Sequence, residues 1–154
     1  EDAFMMLYDM KPERVRRLVL AINKIDVVYL AGETPGGISD AEYCFMYALD
    51  DDKPHSQMEI CKEWMIPKTT INTIAKRWER EGMLVFQSVP GKRREMQIEL
   101  TDKGRLYIRE NLYGLYKAED TAMEKTLSVY GDEFIEAVEA FAENLRTAFE
   151  KETE

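Results

Sequence analysis

Residues 68–78 contain no acidic side chain, although Asp and Glu supply 30 of the 154 residues of the chain. Four apolar residues recur there at helical spacing and predict a buried helix face: Ile71, Ile74, Ala75 and Trp78. The opposite face carries hydroxyl, amide and basic groups: Lys68, Thr69, Thr70, Asn72, Thr73, Lys76 and Arg77. Such groups hydrogen-bond to phosphates and base edges, and carboxylates would repel phosphates. We interpret this face as a contact surface for duplex DNA.

A second basic cluster lies between two segments rich in β-forming residues. Residues 84–89 form the first segment, and Met96, Ile98 and Leu100 alternate with polar residues in the second. The turn signal Pro90-Gly91 joins them, so a β-hairpin with a half-buried second strand is predicted. Its tip carries Lys92, Arg93 and Arg94. Because a narrow A·T-rich minor groove attracts arginine, we assign these three side chains to DNA contact as well.

Capping signals mark the helices that must position these groups. Ser56 and Glu59 have the spacing of a capping box and open a short helix through about Trp64, next to the single histidine, His55, interpreted as a loop or capping residue. Residues 65–67 form a turn before the helix described above. The order of short helix, turn, helix and hairpin predicts a helix-turn-helix whose second helix enters the major groove.

Two more capping signals place the neighbouring helices. Ser39 and Glu42 form another predicted capping box, which opens a helix ending near Leu49. Thr101 is predicted to cap the helix that follows the hairpin.

Long amphipathic helices are predicted at both ends of the chain. The first begins after Pro12 and ends at the break formed by residues 32–37, and the last follows Gly131. Each has an apolar face that one winged domain cannot cover, so we expect two copies to pair through it. The predicted dimerisation residues are Val15, Leu18, Ile22, Phe134, Val138, Phe141 and Leu145. Packing of both helices on the core of the same chain is the alternative.

Three segments together resemble the MarR (multiple antibiotic resistance regulator) family of winged helix-turn-helix transcription regulators. These are residues 66–85, 91–94 and 98–104, which hold the basic helix, the Glu81-Gly82 stop, the basic hairpin and the run Leu100-Thr-Asp-Lys-Gly104. The motif-level resemblance covers about residues 38–111. It implies a mainly α fold with a small β-hairpin wing, the winged helix-turn-helix being flanked by long N- and C-terminal dimerisation helices. The predicted division is residues 38–104 for DNA binding and residues 1–37 and 105–154 for dimerisation, within one compact chain.

The resemblance also implies a function. It predicts a homodimer that binds a pseudo-palindromic operator in duplex DNA, most simply as a repressor, and a small-molecule effector that releases it. Arg94 resembles the wing arginine of the family. The family usually has an acidic residue two positions earlier, where this chain has Lys92, and this exchange strengthens sequence-independent attraction to phosphate.

Charge and composition agree with these predictions. The net charge is −9, but residues 55–109 hold 11 basic and 7 acidic side chains, so the predicted DNA-binding region is basic between acidic flanks. The composition is 45% hydrophobic and 33% charged, as in soluble globular proteins. No apolar run is long enough to span a membrane, and the acidic N-terminus does not resemble a secretory signal, so a cytoplasmic location is expected.

Other functions find little support in the residues. One histidine, with Cys44 and Cys61 17 positions apart, provides neither a nucleophile–base pair nor a clustered metal site, so neither an enzyme nor a bound cofactor is expected. The two cysteines are interpreted as small buried hydrophobic residues, with a cysteine-based redox-sensing regulator as an alternative. A winged-helix module that binds proteins and not DNA is the other alternative.

Overall fold

The computed structural model describes residues 13–32 and 37–152, in two units, residues 1–40 and residues 41–154. The first unit contains helix α1 (Glu13–Ala31), none of whose residues is buried. The predicted first amphipathic helix is therefore confirmed, and its apolar face is uncovered in the single chain, with Val15 52% exposed and Ile22 38% exposed. Pro12 and most of the predicted break at residues 32–37 lie outside the described residues.

The remaining elements follow one another in the predicted order. They are α2 (Asp40–Leu49), β1 (His55–Ser56), α3 (Gln57–Trp64), α4 (Lys68–Arg80), β2 (Leu84–Ser88), β3 (Met96–Leu100), α5 (Asp102–Tyr130) and α6 (Glu133–Glu152). The fold is mainly α with one small antiparallel sheet, and α3, α4 and the β2–β3 hairpin form a winged helix-turn-helix.

Local sequence explains the helix-turn-helix. Ser56 caps α3: its hydroxyl accepts from the Glu59 backbone N–H at 3.1 Å, and the Glu59 carboxylate accepts from the Ser56 N–H at 3.2 Å. Met65 then takes a left-handed conformation with φ 51°, which ends α3 and turns the chain toward α4. All four residues predicted for the inner face of α4 are buried: Ile71, Ile74, Ala75 and Trp78.

The sheet has three strands in the order β1-β3-β2, so the hairpin prediction was one strand short. Strand β1 pairs His55 with Ile98, and the His55 ring Nε2 lies 2.7 Å from Asp51 Oδ1. The interpretation of His55 as a loop or capping residue was therefore wrong. The half-buried pattern predicted for β3 holds for Ile98 and Leu100, which are buried, but Met96 lies toward the wing tip and is 44% exposed.

A buried aromatic residue and a buried carboxylate join α4 to α2. Trp78 has no exposed surface and contacts the rings of Phe45 and Tyr107 edge to face, with centroids 5.3 Å and 5.5 Å away. Its indole Nε1–H donates to Glu42 Oε1 at 2.9 Å, and Glu42 is 5% exposed. The guanidinium of Arg77 forms an ion pair with the same carboxylate oxygen. Glu42, expected only as a capping partner of Ser39, thus anchors α4.

The Arg77–Glu42 ion pair and the burial of Tyr107 shift the pKa values of Arg77 and Tyr107. The hydrogen bond from the Arg77 guanidinium to Glu42 raises the pKa of Arg77 above its ordinary value. Burial, and next the negative charge of Glu42, raise the pKa of Tyr107. Both groups therefore keep their ordinary protonation states at neutral pH.

The run Leu100-Thr-Asp-Lys-Gly104 fastens the start of α5 to the end of α4. The Thr101 hydroxyl donates to the Gly82 carbonyl at 2.6 Å, the Thr101 N–H donates to the Met83 carbonyl at 3.1 Å, and the Lys103 ammonium donates to the Glu81 carbonyl at 2.7 Å. Thr101 also caps α5, as predicted, by accepting from the Gly104 N–H. A Cβ on Gly104 would lie 1.9 Å from the Met83 carbonyl oxygen, so only glycine fits there.

The two C-terminal helices are long and largely uncovered. Helix α5 has 29 residues and buries Gly104, Ile108 and Leu112, all in its first half. Gly131 has a φ of 69° and ends it, and α6 follows with no buried residue in the single chain. Among the predicted α6 dimerisation residues, Phe134, Val138 and Leu145 are exposed, and Phe141 is half-buried. Within residues 13–32 and 37–152, no helix is both long and apolar enough to cross a membrane.

Because Gly104 lies against the Met83 carbonyl, we expect one added methyl group at this position to lower the stability of the fold. Gly104→Ala should lower the free energy of unfolding by about 1–3 kcal/mol, because the added carbon meets backbone atoms that cannot move away alone. Gly114→Ala is the matched control: its Cβ meets open space on the same helix and should raise stability by up to about 1 kcal/mol. Urea unfolding followed by circular dichroism compares the two, and equal midpoints would contradict the packing role of Gly104.

The buried carboxylate gives a second prediction. Glu42→Ala should lower the free energy of unfolding by about 1–3 kcal/mol, because the buried Trp78 N–H loses its acceptor. Glu63→Ala, on the exposed surface of α3, should change it by less than about 0.5 kcal/mol. Urea titrations at one protein concentration measure both variants. An unchanged midpoint for Glu42→Ala would show that the indole does not need this acceptor.

Candidate nucleic-acid interface

The outer face of α4 is presented to solvent. Lys68, Thr69, Thr73 and Lys76 are exposed, and Thr70, Asn72 and Arg77 are half-buried at the sides of the helix. The first acidic residue of α4 is Glu79, so two turns of the exposed face carry no carboxylate. Lys68 is the first residue of α4, and the N-terminus of a helix favours anions. This face can therefore contact phosphates and base edges, as the sequence predicts.

Two polar side chains on this face differ in their hydrogen bonding. The Thr73 hydroxyl donates to the Thr69 carbonyl one turn earlier, at 2.9 Å. The side-chain amide of Asn72 has no hydrogen-bond partner within residues 13–32 and 37–152. The Asn72 amide is thus available to a ligand as donor and acceptor, whereas the Thr73 hydroxyl proton is already used.

Arg77 differs from the other predicted DNA contacts. Its guanidinium is bound to Glu42, beside the Trp78 indole, and its side chain is 42% exposed. If a cation leaves a buried carboxylate, the carboxylate stays buried without a compensating charge, which is strongly unfavourable. We therefore assign Arg77 a positioning role for α4, and its predicted phosphate contact remains a prediction.

The wing tip has a defined backbone. The Lys92 N–H donates to the Val89 carbonyl at 3.1 Å, with Pro90 and Gly91 between them and Gly91 at a φ of 80°. This is the arrangement of a type II β-turn, which requires glycine at its third position. A second hydrogen bond, from the Val89 N–H to the Glu95 carbonyl at 3.2 Å, closes the loop. The basic tip is therefore held by its backbone.

Lys92 is paired, whereas the two arginines are not. The Lys92 ammonium lies 2.8 Å from Glu95 Oε2, and this hydrogen bond raises the pKa of Lys92. Lys92 replaces the acidic residue expected at this position, and its partner Glu95, three residues later, was not predicted. Arg93 and Arg94 are exposed and form no ion pair in the described part of the chain. The cationic tip therefore consists of these two guanidinium groups.

A polar aromatic cluster between α2 and α5 was not foreseen. The Tyr116 hydroxyl donates to Asp50 at 2.7 Å, and the Tyr47 hydroxyl donates to Glu119 at 3.1 Å. The two rings lie 5.7 Å apart, and Tyr47 also lies 5.3 Å from Trp64. Burial, and next the hydrogen bond to Asp50, raise the pKa of Tyr116. Tyrosine composition alone could not reveal these pairs, because the partners are distant in sequence.

The two cysteines and the side chains that could bind a metal ion complete the description of the site. Cys44 and Cys61 are both half-buried, so their interpretation as buried residues was wrong. No cluster of three or more metal-ligating side chains occurs among the residues that the structure describes.

Comparison with known proteins agrees with the geometry. Residues 36–95, which include α3, α4 and most of the hairpin, match the model described as "MarR family". The HTH-type transcriptional repressor NicR of Pseudomonas putida is 30% identical over 67 residues, which are 44% of this chain and 42% of NicR. The chain thus spans less than half the length of that relative.

Two solved structures share the fold over nearly the whole chain. One is NMB1585, a MarR family regulator from Neisseria meningitidis, with 18% identity, a TM-score of 0.64 and coverage of 92% of this chain and 94% of that one. The other is Streptococcus pneumoniae FabT in complex with DNA, with 26% identity, a TM-score of 0.52 and coverage of 94% and 98%.

By name, NicR is a transcriptional repressor and NMB1585 is a MarR family regulator, and FabT was solved in complex with DNA. The two solved structures match 92% and 94% of this chain, whereas the match to NicR is limited to 67 residues. The chain is therefore similar to MarR family proteins over residues 36–95 and shares the fold of a MarR family regulator.

Proposed function

We propose that the protein is a homodimeric regulator that binds a pseudo-palindromic operator in duplex DNA and represses transcription. The observation that carries this proposal is the acid-free outer face of α4 together with two exposed arginines at the wing tip, which form no ion pair within residues 13–32 and 37–152. Both surfaces are polar or cationic, and both protrude from a core fixed by Trp78. In a chain with net charge −9, such a combination is explained by phosphate binding.

Each subunit inserts α4 into one major groove. Thr69, Thr70, Asn72 and Thr73 face base edges or phosphates, and Lys68 and Lys76 contact phosphates. Arg94, with Arg93 beside it, reaches the adjacent minor groove. The complex of FabT with DNA supports this class of partner for a chain of similar fold.

Dimerisation uses the apolar faces of α1 and α6. No residue of either helix is buried in the single chain, and their exposed apolar residues include Val15, Ile22, Val138 and Leu145. Such a surface gains about 25 cal/mol for each Å² of apolar area that a second copy covers. A two-fold dimer places two α4 helices in successive major grooves, about 34–36 Å apart, which explains a pseudo-palindromic operator.

A small-molecule effector would control the dimer through the spacing of the two α4 helices. It relieves repression only if it binds the DNA-incompetent spacing more tightly than the competent one. The effector is therefore expected to lower the affinity for DNA, and DNA is expected to lower the affinity for the effector by the same factor.

Salt dependence tests the DNA assignment. Each subunit presents four cations: Lys68, Lys76, Arg93 and Arg94. A dimer should therefore show a slope of log affinity against log salt concentration of about −7. Arg94→Ala should reduce affinity for a selected operator by about tenfold or more and make that slope shallower by about 2. Fluorescence anisotropy with labelled duplexes from 50 to 200 mM salt measures both.

A distant cation provides the control. Lys151→Ala, near the end of α6, should leave affinity and slope unchanged. An Arg94→Ala variant with wild-type affinity would refute the wing assignment. If a confirmed dimer retains no duplex DNA even at low salt, the winged helix serves protein binding.

Sedimentation tests the dimer. The wild-type protein should sediment as a dimer at micromolar concentration, and Val138→Glu should shift it toward monomer because a charge enters the apolar contact. Ala140→Glu adds the same charge on the opposite, exposed face of α6 and should stay dimeric. A monomeric wild-type protein would overturn the proposed assembly.

A further inference from the structure

Thr73 is an exposed residue of α4 whose side chain is oriented by a hydrogen bond to the helix itself. Its hydroxyl donates to the Thr69 carbonyl at 2.9 Å, one turn back along the helix. This bond holds the oxygen over the backbone and selects the side-chain rotamer. The residue is nevertheless exposed, and it lies on the side of α4 opposite Ile71 and Trp78. The hydroxyl therefore has no proton left to donate and can only accept, and the methyl group is the part of Thr73 that no hydrogen bond holds.

The other side chains on the outer face of α4 limit which base can contact Thr73. Arg77, the arginine nearest to Thr73 along α4, is bound to Glu42. Arginine is the commonest partner of the guanine O6 and N7 atoms, so this guanine contact is not available from Arg77. A methyl group has a complement in the major groove, the C5 methyl of thymine. Hydrophobic contact between two methyl groups needs no hydroxyl proton.

We propose that each operator half-site contains a thymine read by the Thr73 methyl group and that the Thr73 hydroxyl contributes nothing to base choice. The inference rests on the proposed DNA-binding function and names a base and an atom within it. Asn72, one residue earlier, supplies the free amide for hydrogen bonds in the same groove. In this proposal, Thr73 makes an apolar contact with a base and Asn72 makes a polar one.

Atomic substitution on both partners tests this contact. The probes are duplexes recovered by the wild-type protein from random-sequence DNA, with each half-site thymine replaced in turn by deoxyuridine, which lacks the C5 methyl. At one position per half-site, this replacement should lower the affinity of the wild-type protein about fourfold, the effect of one buried methyl group.

Two variants of Thr73 assign the effect. Thr73→Ser removes the methyl and keeps the hydroxyl, so it should bind the thymine duplex about fourfold more weakly per half-site and no longer distinguish thymine from deoxyuridine. Thr73→Val keeps a methyl and removes the hydroxyl, so it should still distinguish them. Thr126→Ser is the matched control, because Thr126 on α5 makes the same hydrogen bond, to Ala122 at 2.8 Å, and should behave as the wild type.

The outcomes separate the two levels of the proposal. If Thr73→Ser still discriminates against deoxyuridine, if Thr73→Val loses that discrimination, or if no thymine position matters, the Thr73 inference is overturned while DNA binding stands. If the wild-type protein recovers no sequence and retains no duplex at low salt, the proposed function itself fails. Circular dichroism and sedimentation of each variant exclude a loss of folding or assembly.

Discussion

The position of α4 depends on one carboxylate. Glu42 on α2 is buried, accepts the Trp78 indole N–H at 2.9 Å and pairs with the Arg77 guanidinium. An isolated buried carboxylate would be strongly unfavourable, and here it is compensated by one charged and one neutral donor from successive residues of the same helix. Because both donors belong to α4, the pair fixes the rotation of that helix about its axis. The rotation in turn determines which residues lie on the outer face.

This constraint divides the polar residues of α4 into two groups. Arg77 pairs with the buried carboxylate of Glu42, whereas Lys68, Lys76, Thr69 and Thr73 are exposed. The wing repeats the pattern, since Lys92 is paired with Glu95 and the two arginines next to it are not. In both places, one of the cations in the sequence is paired with a carboxylate, so fewer cations are unpaired than the sequence contains. A charge count alone overstates the cationic surface.

Much of the fold could be predicted because its signals are local. The inner face of α4 has residues at steps of three, four and seven, and the Ser56 capping box and the Pro90-Gly91 turn depend on near neighbours. Strand β1 was missed because two residues carry no periodicity and pair with β3 only after the chain has folded. The role of Glu42 was missed for the same reason: its partner Trp78 is 36 residues away. The ion pair of Arg77 was not foreseen, because helical spacing puts this residue beside the outer face and only the position of Glu42 shows that its charge is paired.

The joint between α4 and α5 has a mechanical consequence. Carbonyls of residues 81–83 are bound by Thr101 and Lys103, and Gly104 lies against the last of them without room for adjustment. The end of one helix and the beginning of the next must therefore tilt as a single piece. Helix α5, with 29 residues, is about 43 Å long, so a pivot of about 5° at its far end displaces this joint by about 4 Å. A long lever of this kind can convert a slight rearrangement far from the groove into a change of register along it, with no hinge next to the bases.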